Sequence, residues 1–133
     1  MEYICVSSNQ DLDKFPQNVW YDFSVVLPKA LVNKEGWECA LLSVDINPLS
    51  DLEMYIFCDL VKGSCFQKSI LPFLGKVSRM PTHFENLNFV SVINPTIENF
   101  RIYIKRAFSQ DIPTDGVEEL TVTLVLRPKK YVE

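Results

Sequence analysis

The chain has 133 residues, of which 47% are hydrophobic and 12% aromatic, and its formal charge at pH 7 is −4. A chain of this length and apolar content is expected to form a single domain, residues 1–133, around one hydrophobic core. The acidic balance argues against nucleic acid as a partner, because basic surfaces that neutralise phosphates supply most of the affinity for nucleic acids.

The opening stretch MEYICVSSNQ has no signal-peptide pattern, and no apolar run approaches the ~20 residues of a membrane span. We therefore expect a soluble protein made in a reducing compartment, with no membrane partner. In such a compartment cysteines are expected to be free thiols, and the chain has four of them: Cys5, Cys39, Cys58 and Cys65. Cys58 and Cys65 flank a predicted turn at Lys62–Gly63, so a bridge between these two stays open.

Glu2–Ser8 alternates between two faces and predicts a first strand. The polar, irregular stretch from Asn9 to Tyr21 follows, and its large apolar residues are too hydrophobic for a freely solvated loop. Trp20 is expected to close one end of the core, because large aromatic side chains are usually buried. An exposed Trp20 would instead indicate contact with a partner.

Two apolar runs, Phe23–Leu27 and Trp37–Ile46, have a hydrophobic period of two and predict strands. Pro28 is expected to end the first run because proline cannot donate to a strand ladder. Gly36 is expected to occupy a turn with positive φ. Alternation places Trp37, Cys39 and Leu41 on one face and Ala40, Val44 and Ile46 on the other, so the second run predicts a central strand covered on both faces. A buried helix over Trp37–Val44 is the alternative.

Further strands are predicted at Glu53–Val61 and Phe84–Val92. Between them, Ser64–Val77 is interrupted by Pro72 and Gly75 and predicts two short strands or one bulged edge strand.

The clearest alternation lies in Ile97–Arg106, where Phe100, Ile102 and Ile104 are predicted to face inward and Arg101, Tyr103 and Lys105 outward. A turn cluster at Ser109–Gly116 precedes the last strand, Leu120–Leu126. About eight strands at regular spacing, without a convincing helical window, predict an all-β fold, an antiparallel β-sandwich.

The sequence contains no recognisable catalytic or metal-binding constellation. Its single histidine, His83, has no second histidine with which to form a metal site, and a catalytic base needs neighbours that orient and tune it. Its paired acidic residues lie in polar connections, and it has neither a glycine-rich phosphate loop nor a calcium loop. We therefore expect a protein that is not an enzyme and that has no metal, cofactor or small-molecule substrate.

Four segments of the first third follow one another in a recognisable order. They are FPQN at Phe15–Asn18, FSVVLP at Phe23–Pro28, GWECAL at Gly36–Leu41 and VDINP at Val44–Pro48. Together they resemble the opening of small β-rich proteins of Maverick/Polinton-type elements and the related adintovirus-like animal DNA viruses. The resemblance continues more loosely through the rest of the chain, at Met54–Val61, Ile70–Val77, Phe84–Val92 and Leu120–Arg127.

The resemblance implies a viral or virus-derived protein with a jelly-roll-like sandwich, located in a virion or in the host-cell interior. Our leading hypothesis is a structural or assembly protein that contacts itself, as a homo-oligomer, and other virion proteins. The alternative is a host-recognition module that binds a glycan or a peptide. An enzymatic function would require titratable side chains that converge in a pocket. For the protein interface we predict four residues: Trp20, Tyr21, Arg101 and Tyr103.

Overall fold

The computed structural model describes residues 1–47, 53–66, 69–77, 82–106 and 117–129. Pro48 and the predicted turn at Ser109–Gly116 lie outside these residues. The described chain is all-β and contains eleven strands: β1 (Glu2–Ser7), β2 (Asp22–Val32), β3 (Trp37–Asn47), β4 (Met54–Cys58), β5 (Ser64–Phe66), β6 (Ser69–Leu71), β7 (Phe73–Val77), β8 (Thr82–His83), β9 (Val90–Ser91), β10 (Thr96–Arg106) and β11 (Glu119–Pro128). Within these ranges no helix is long and apolar enough to cross a membrane.

The strands form two main antiparallel sheets and a separate β5–β6 hairpin. The five-stranded sheet has the order β1-β11-β3-β8, with β9 also pairing with β3, and the four-stranded sheet has the order β2-β10-β4-β7. The predicted antiparallel all-β sandwich is therefore confirmed. The pairing is nested: β1 pairs with β11, β2 with β10, β3 with β8 and β9, and β4 with β7.

The core between the sheets is built from the inward rows that alternation predicted. In β10, Phe100, Ile102 and Ile104 are each at most 2% exposed. The even-numbered residues of β11 from Leu120 to Leu126 are fully buried. Because both rows pack against the opposite sheet, removal of their apolar surface from water is the main stabilising term at about 25 cal/mol per Å².

Strand β3 is central, as predicted, but its two faces are not the predicted ones. Leu41 and Val44, three positions apart, both belong to the core cluster, as does Ile46. The register with β11 shifts between Thr123 and Leu124, so an irregularity in β3 reverses its alternation after Leu41. Ala40 on the opposite face is also fully buried, which agrees with a strand covered on both sides.

Two strand boundaries differ from the prediction. Pro28 does not end β2, which continues to Val32, because β2 is an edge strand and the missing proline N–H is tolerated there. The predicted strand over Phe84–Val92 is mostly irregular, and only Val90–Ser91 pairs with β3. This stretch contains two asparagines, Asn86 and Asn88, which favour turns over strands.

The turn before β3 matches the prediction. Gly36 has a φ of 93°, a backbone conformation that residues with a Cβ atom rarely adopt. Its N–H donates to the carbonyl of Asn33 at 2.9 Å, and its own carbonyl accepts from the N–H of Lys129 at 3.0 Å. The turn therefore sets the start of β3 against the end of β11.

Candidate interaction site

The outer face of the four-stranded sheet carries four aromatic side chains, here called the aromatic row: Tyr103 of β10, Tyr55 and Phe57 of β4, and Phe73 of β7. Tyr103 lies directly opposite Phe57, and Phe57 lies opposite Phe73. Opposite residues of antiparallel strands project on the same face, so the register alone brings these rings together.

The rings of the aromatic row contact one another in sequence across the sheet. The Tyr103 and Phe57 rings are stacked, with centroids 5.1 Å apart and an interplanar angle of 10°. Phe73 meets Phe57 at 5.7 Å and Tyr55 at 6.0 Å, in both cases with tilted planes. Aromatic pairs in these arrangements contribute about 0.5–1.5 kcal/mol each beyond area burial, so the row is a rigid surface.

Three cations lie over the aromatic row. The guanidinium carbon of Arg101 is 4.6 Å from the centroid of the Tyr103 ring. The Nζ atom of Lys105 lies 5.9 Å from the Phe57 ring, and that of Lys76 lies 5.9 Å from the Tyr55 ring. Cations at these distances are attracted to the ring faces, so the row combines aromatic and cationic surface.

Arg101 is held in place by acidic neighbours. Its Nε and Nη2 atoms donate to the two carboxylate oxygens of Asp22 at 2.8 and 2.7 Å, and its backbone N–H donates to Asp59 Oδ1 at 2.9 Å. The hydrogen bond to Asp22 is the main cause that raises the pKa of Arg101. Partial burial raises the pKa of Tyr103, against the opposing charge of Arg101. Arg101 is therefore charged and Tyr103 neutral at neutral pH, and the two bonds to Asp22 hold the Arg101 guanidinium in place.

The structure places the four predicted interface residues in three different settings. Arg101 and Tyr103 lie side by side on the aromatic row. Tyr21 is half-buried at the end of the aromatic row and packs against the core. Trp20 is only 7% exposed, and its ring meets Tyr21 edge-on at 5.5 Å. The Trp20 ring is thus packed inside the domain and does not extend the surface formed by Arg101 and Tyr103, as expected for a residue that closes the core.

A hollow of about 480 Å³ adjoins the aromatic row on the side of β2. Its lining includes Phe15, Asn18, Tyr21 and Arg101. Two of these polar groups are already engaged, since Asn18 bonds the backbone of Ser24 and Arg101 bonds Asp22. The hollow therefore offers a ligand aromatic edges but few free polar groups.

Sequence reasoning missed three members of the aromatic row: Tyr55, Phe57 and Phe73. A signal existed for the first two, because Tyr55 and Phe57 alternate with Met54, Ile56 and Cys58 in a run that is apolar on both faces. Such a run indicates a strand with a covered outer face. Its register with β7 and β10 is set by packing and turns, so the stacking itself was not predictable.

Side chains with catalytic or metal-binding chemistry do not gather in the described structure. His83 is exposed on the two-residue strand β8. Burial raises the pKa of Cys39 to about 12 and that of Cys58 well above its ordinary value, so both thiols stay protonated and are poor nucleophiles. Among the described residues, no three His, Cys, Asp or Glu side chains are placed to hold a metal ion.

Comparisons of the chain with protein-family models, curated proteins and solved structures found no match.

Proposed function

We propose that this chain is a viral or virus-derived structural or assembly protein that acts through protein–protein contacts and not through catalysis. The observation that carries the proposed protein–protein contact is the aromatic row with the Arg101 guanidinium, which Asp22 holds on the outer sheet face. Tyrosine and arginine are enriched at the centres of protein interfaces, where a few well-supported side chains contribute most of the binding energy.

The aromatic row is suited to anchoring a partner protein because contacts within the chain already support its rings. Phe57 is fully buried, whereas Tyr103, Tyr55 and Phe73 are each half-buried. A partner that covers Tyr103 and Arg101 would bury aromatic and cationic surface while ordering few side chains, because the stacking on Phe57 and the bonds to Asp22 already fix these two side chains. Preorganisation of this kind lowers the entropic cost of association.

The nested pairing of strands supports a jelly-roll architecture. Within the two main sheets, the innermost nested pair is β4–β7 and the outermost is β1–β11, as in a long hairpin that rolls into two sheets; the short β5–β6 hairpin lies between β4 and β7 along the chain. Jelly rolls of this kind are common in viral capsids and in lectins. Since a fold does not determine a function, the viral assignment rests on the resemblance to Maverick/Polinton-type and adintovirus-like proteins.

The proposed partners are other copies of this chain and other virion proteins, in a virion or the host-cell interior. Nucleic acid, membranes and small-molecule substrates are not proposed partners. The test is to measure the mass of the purified chain by light scattering at rising concentration, and to image its assemblies by electron microscopy. We expect concentration-dependent oligomers of defined size. A strictly monomeric chain at high micromolar concentration that is also absent from purified particles would overturn the proposal.

The hollow beside Arg101 favours one second candidate, a glycan- or peptide-recognition module. Aromatic edges such as Phe15 and Tyr21 suit a sugar ring or an apolar side chain. We rank it second because Asn18 and Arg101 are occupied by internal bonds. Glycan and peptide arrays test it: binding lost in Tyr21→Ala but kept in Thr121→Ala, on the other sheet, would favour recognition, and blank arrays would exclude it.

A further inference from the structure

The outer edge of β2 is closed to further strands in its first half, from Asp22 to Val26. Residues of β2 that face away from β10 would present unpaired N–H and C=O groups, which are templates for association. In the first half of β2 the preceding loop bonds these groups: both groups of Asp22 bond Val19, both groups of Ser24 bond the Asn18 amide, and the Val26 N–H donates to Asp11 Oδ2 at 2.8 Å. Further along the strand, Pro28 has no N–H to offer.

The outer edge of β1 is open over two residues. Ser8 faces β11, because its N–H donates to the Leu120 carbonyl, so Tyr3, Cys5 and Ser7 point their backbone groups away. Ser7 is closed by Gln10, whose side chain accepts from the Ser7 N–H at 2.7 Å. Within the described ranges, the outward groups of Tyr3 and Cys5 make no such bonds.

The geometry points to a second copy of this chain as the occupant of the β1 edge. We propose that two β1 strands pair antiparallel across a two-fold axis that passes between their Ile4 residues. In this register Tyr3 of one copy lies opposite Cys5 of the other, and each such pair exchanges two backbone hydrogen bonds. The outward N–H and C=O groups of Tyr3 and Cys5 are then all hydrogen-bonded. The pairing ends at Ser7, whose backbone groups already bond Gln10.

Side chains agree with this register. Tyr3 is 65% exposed on the outer face, and in the pair it would lie against the exposed Cys5 of the partner copy. Glu2 would lie opposite Val6, so no like charges meet across the axis, which is the arrangement that favours cross-strand pairing. The contact is isologous, as most closed dimers require.

The other long edge is less suited to pairing. The edge strand β7 follows Pro72, shifts its register opposite Ile56 and Phe57, and carries the exposed Lys76. Proline, irregular register and lysine are the devices by which sheet edges resist association. The β1 pairing extends the proposed assembly function, on which its biological meaning rests, but it does not involve the aromatic row. Either contact can therefore fail alone.

Disulfide trapping tests the register. In a hydrogen-bonded antiparallel pair the Cα atoms lie about 5.5 Å apart, within the range of about 4.4–6.8 Å that a disulfide needs. The variant Tyr3→Cys, made in a Cys65→Ser background, should form covalent dimers through Cys5 of the partner copy on mild oxidation. The control Ser7→Cys lies on the same strand and face, but opposite Met1, and should stay monomeric on a denaturing gel. Equal trapping in both variants, or in neither, contradicts the register.

A second pair of variants tests the backbone bonds. Cys5→Pro removes an N–H that makes no bond inside the domain, so the fold should persist, whereas Cys5→Ser keeps it. Cys5→Pro should weaken self-association by about tenfold or more, since two intermolecular bonds are lost, and Cys5→Ser should not.

If circular dichroism shows that Cys5→Pro is unfolded, Cys5→Lys replaces it. Unchanged association in the folded variant overturns the proposal, and loss of association only in Tyr103→Ala assigns the contact to the aromatic row. Pairing of β1 only with a different protein would overturn it as well.

Discussion

Tyr103 and Phe57 lie opposite each other on neighbouring strands with their rings stacked 5.1 Å apart, yet Phe57 is fully buried and Tyr103 is only half-buried. The two rings therefore have different functions. Phe57 supports the Tyr103 ring on the outer face of the sheet, and Tyr103 is the ring of this pair that we propose contacts a partner.

This division predicts different effects of two alanine substitutions. Phe57→Ala should lower the free energy of unfolding by about 3–5 kcal/mol, because it removes a fully buried aromatic ring. Tyr103→Ala should lower it by only about 1 kcal/mol, the contribution of one stacked pair. Urea titrations of both variants measure the difference, and equal losses would contradict it.

The two tryptophans provide a matched comparison of a hydrogen bond. Trp20 and Trp37 are 7% and 6% exposed, but only the Trp37 indole N–H has an acceptor, the Pro95 carbonyl at 3.1 Å, while that of Trp20 is buried without a partner. Replacement by phenylalanine removes a satisfied donor in one case and an unsatisfied donor in the other. Trp37→Phe should therefore be more destabilising than Trp20→Phe by about 1 kcal/mol in urea titrations. The reverse order would show that the Trp20 N–H is bonded in solution.

The buried Cys39 thiol predicts a loss of stability at alkaline pH. Its pKa is raised from 9.0 to about 12 by burial. Its contribution is fully present below pH 9, where the thiol is neutral in both the folded and the unfolded chain. Between about pH 9 and 12 only the unfolded chain releases the proton, so stability falls by up to about 1.4 kcal/mol per pH unit.

Comparison with Cys39→Ala isolates this effect from other groups that titrate in the same range. The difference in unfolding free energy between the wild type and the variant should be constant from neutral pH to about pH 9 and should shrink above it. A difference that stays constant at higher pH would mean that the thiol is accessible to water in the folded chain.

Asn18 is predicted to protect the β2 edge. Its amide donates to the Ser24 carbonyl at 2.8 Å and accepts from the Ser24 N–H at 3.0 Å, as a neighbouring strand would. Asn18→Ala should cost about 1–2 kcal/mol of stability and should increase aggregation on heating, because it opens this edge. Light scattering during a thermal ramp measures the second effect, with the exposed neighbour Gln17→Ala as control. Equal aggregation of the two variants would contradict a protective function.

Much of the fold was predictable because strands with one solvent-exposed face show an alternation of apolar and polar residues. The inward and outward rows of β10 were predicted residue by residue for this reason. The faces of β3 were not predicted correctly, because its irregularity depends on the register with β11. The apolar sequence of β3 itself does not show where the irregularity lies. The prediction that Pro28 ends its strand was wrong for a related reason, because the effect of a proline depends on whether the strand lies at the edge of the sheet.

The candidate site was predicted only in part. Arg101 and Tyr103 were predicted because they alternate with the apolar inward row of β10 and are residue types enriched at interface centres. Their ring partners Phe57 and Phe73 come from distant strands, and only the three-dimensional register reveals the stack. For Trp20 the sequence left burial and partner contact open, and a tryptophan next to polar loop residues fits both until its packing is seen.

Sedimentation equilibrium of the wild type, Tyr103→Ala and the control Thr121→Ala tests assembly through the aromatic row most directly. Thr121 lies on the outer face of the other sheet and is likewise half-buried. We predict that Tyr103→Ala raises the dissociation constant roughly 30-fold, as expected for a hot spot of about 2 kcal/mol, and that Thr121→Ala leaves it unchanged. Wild-type association that survives unchanged in folded Tyr103→Ala would contradict assembly through the aromatic row.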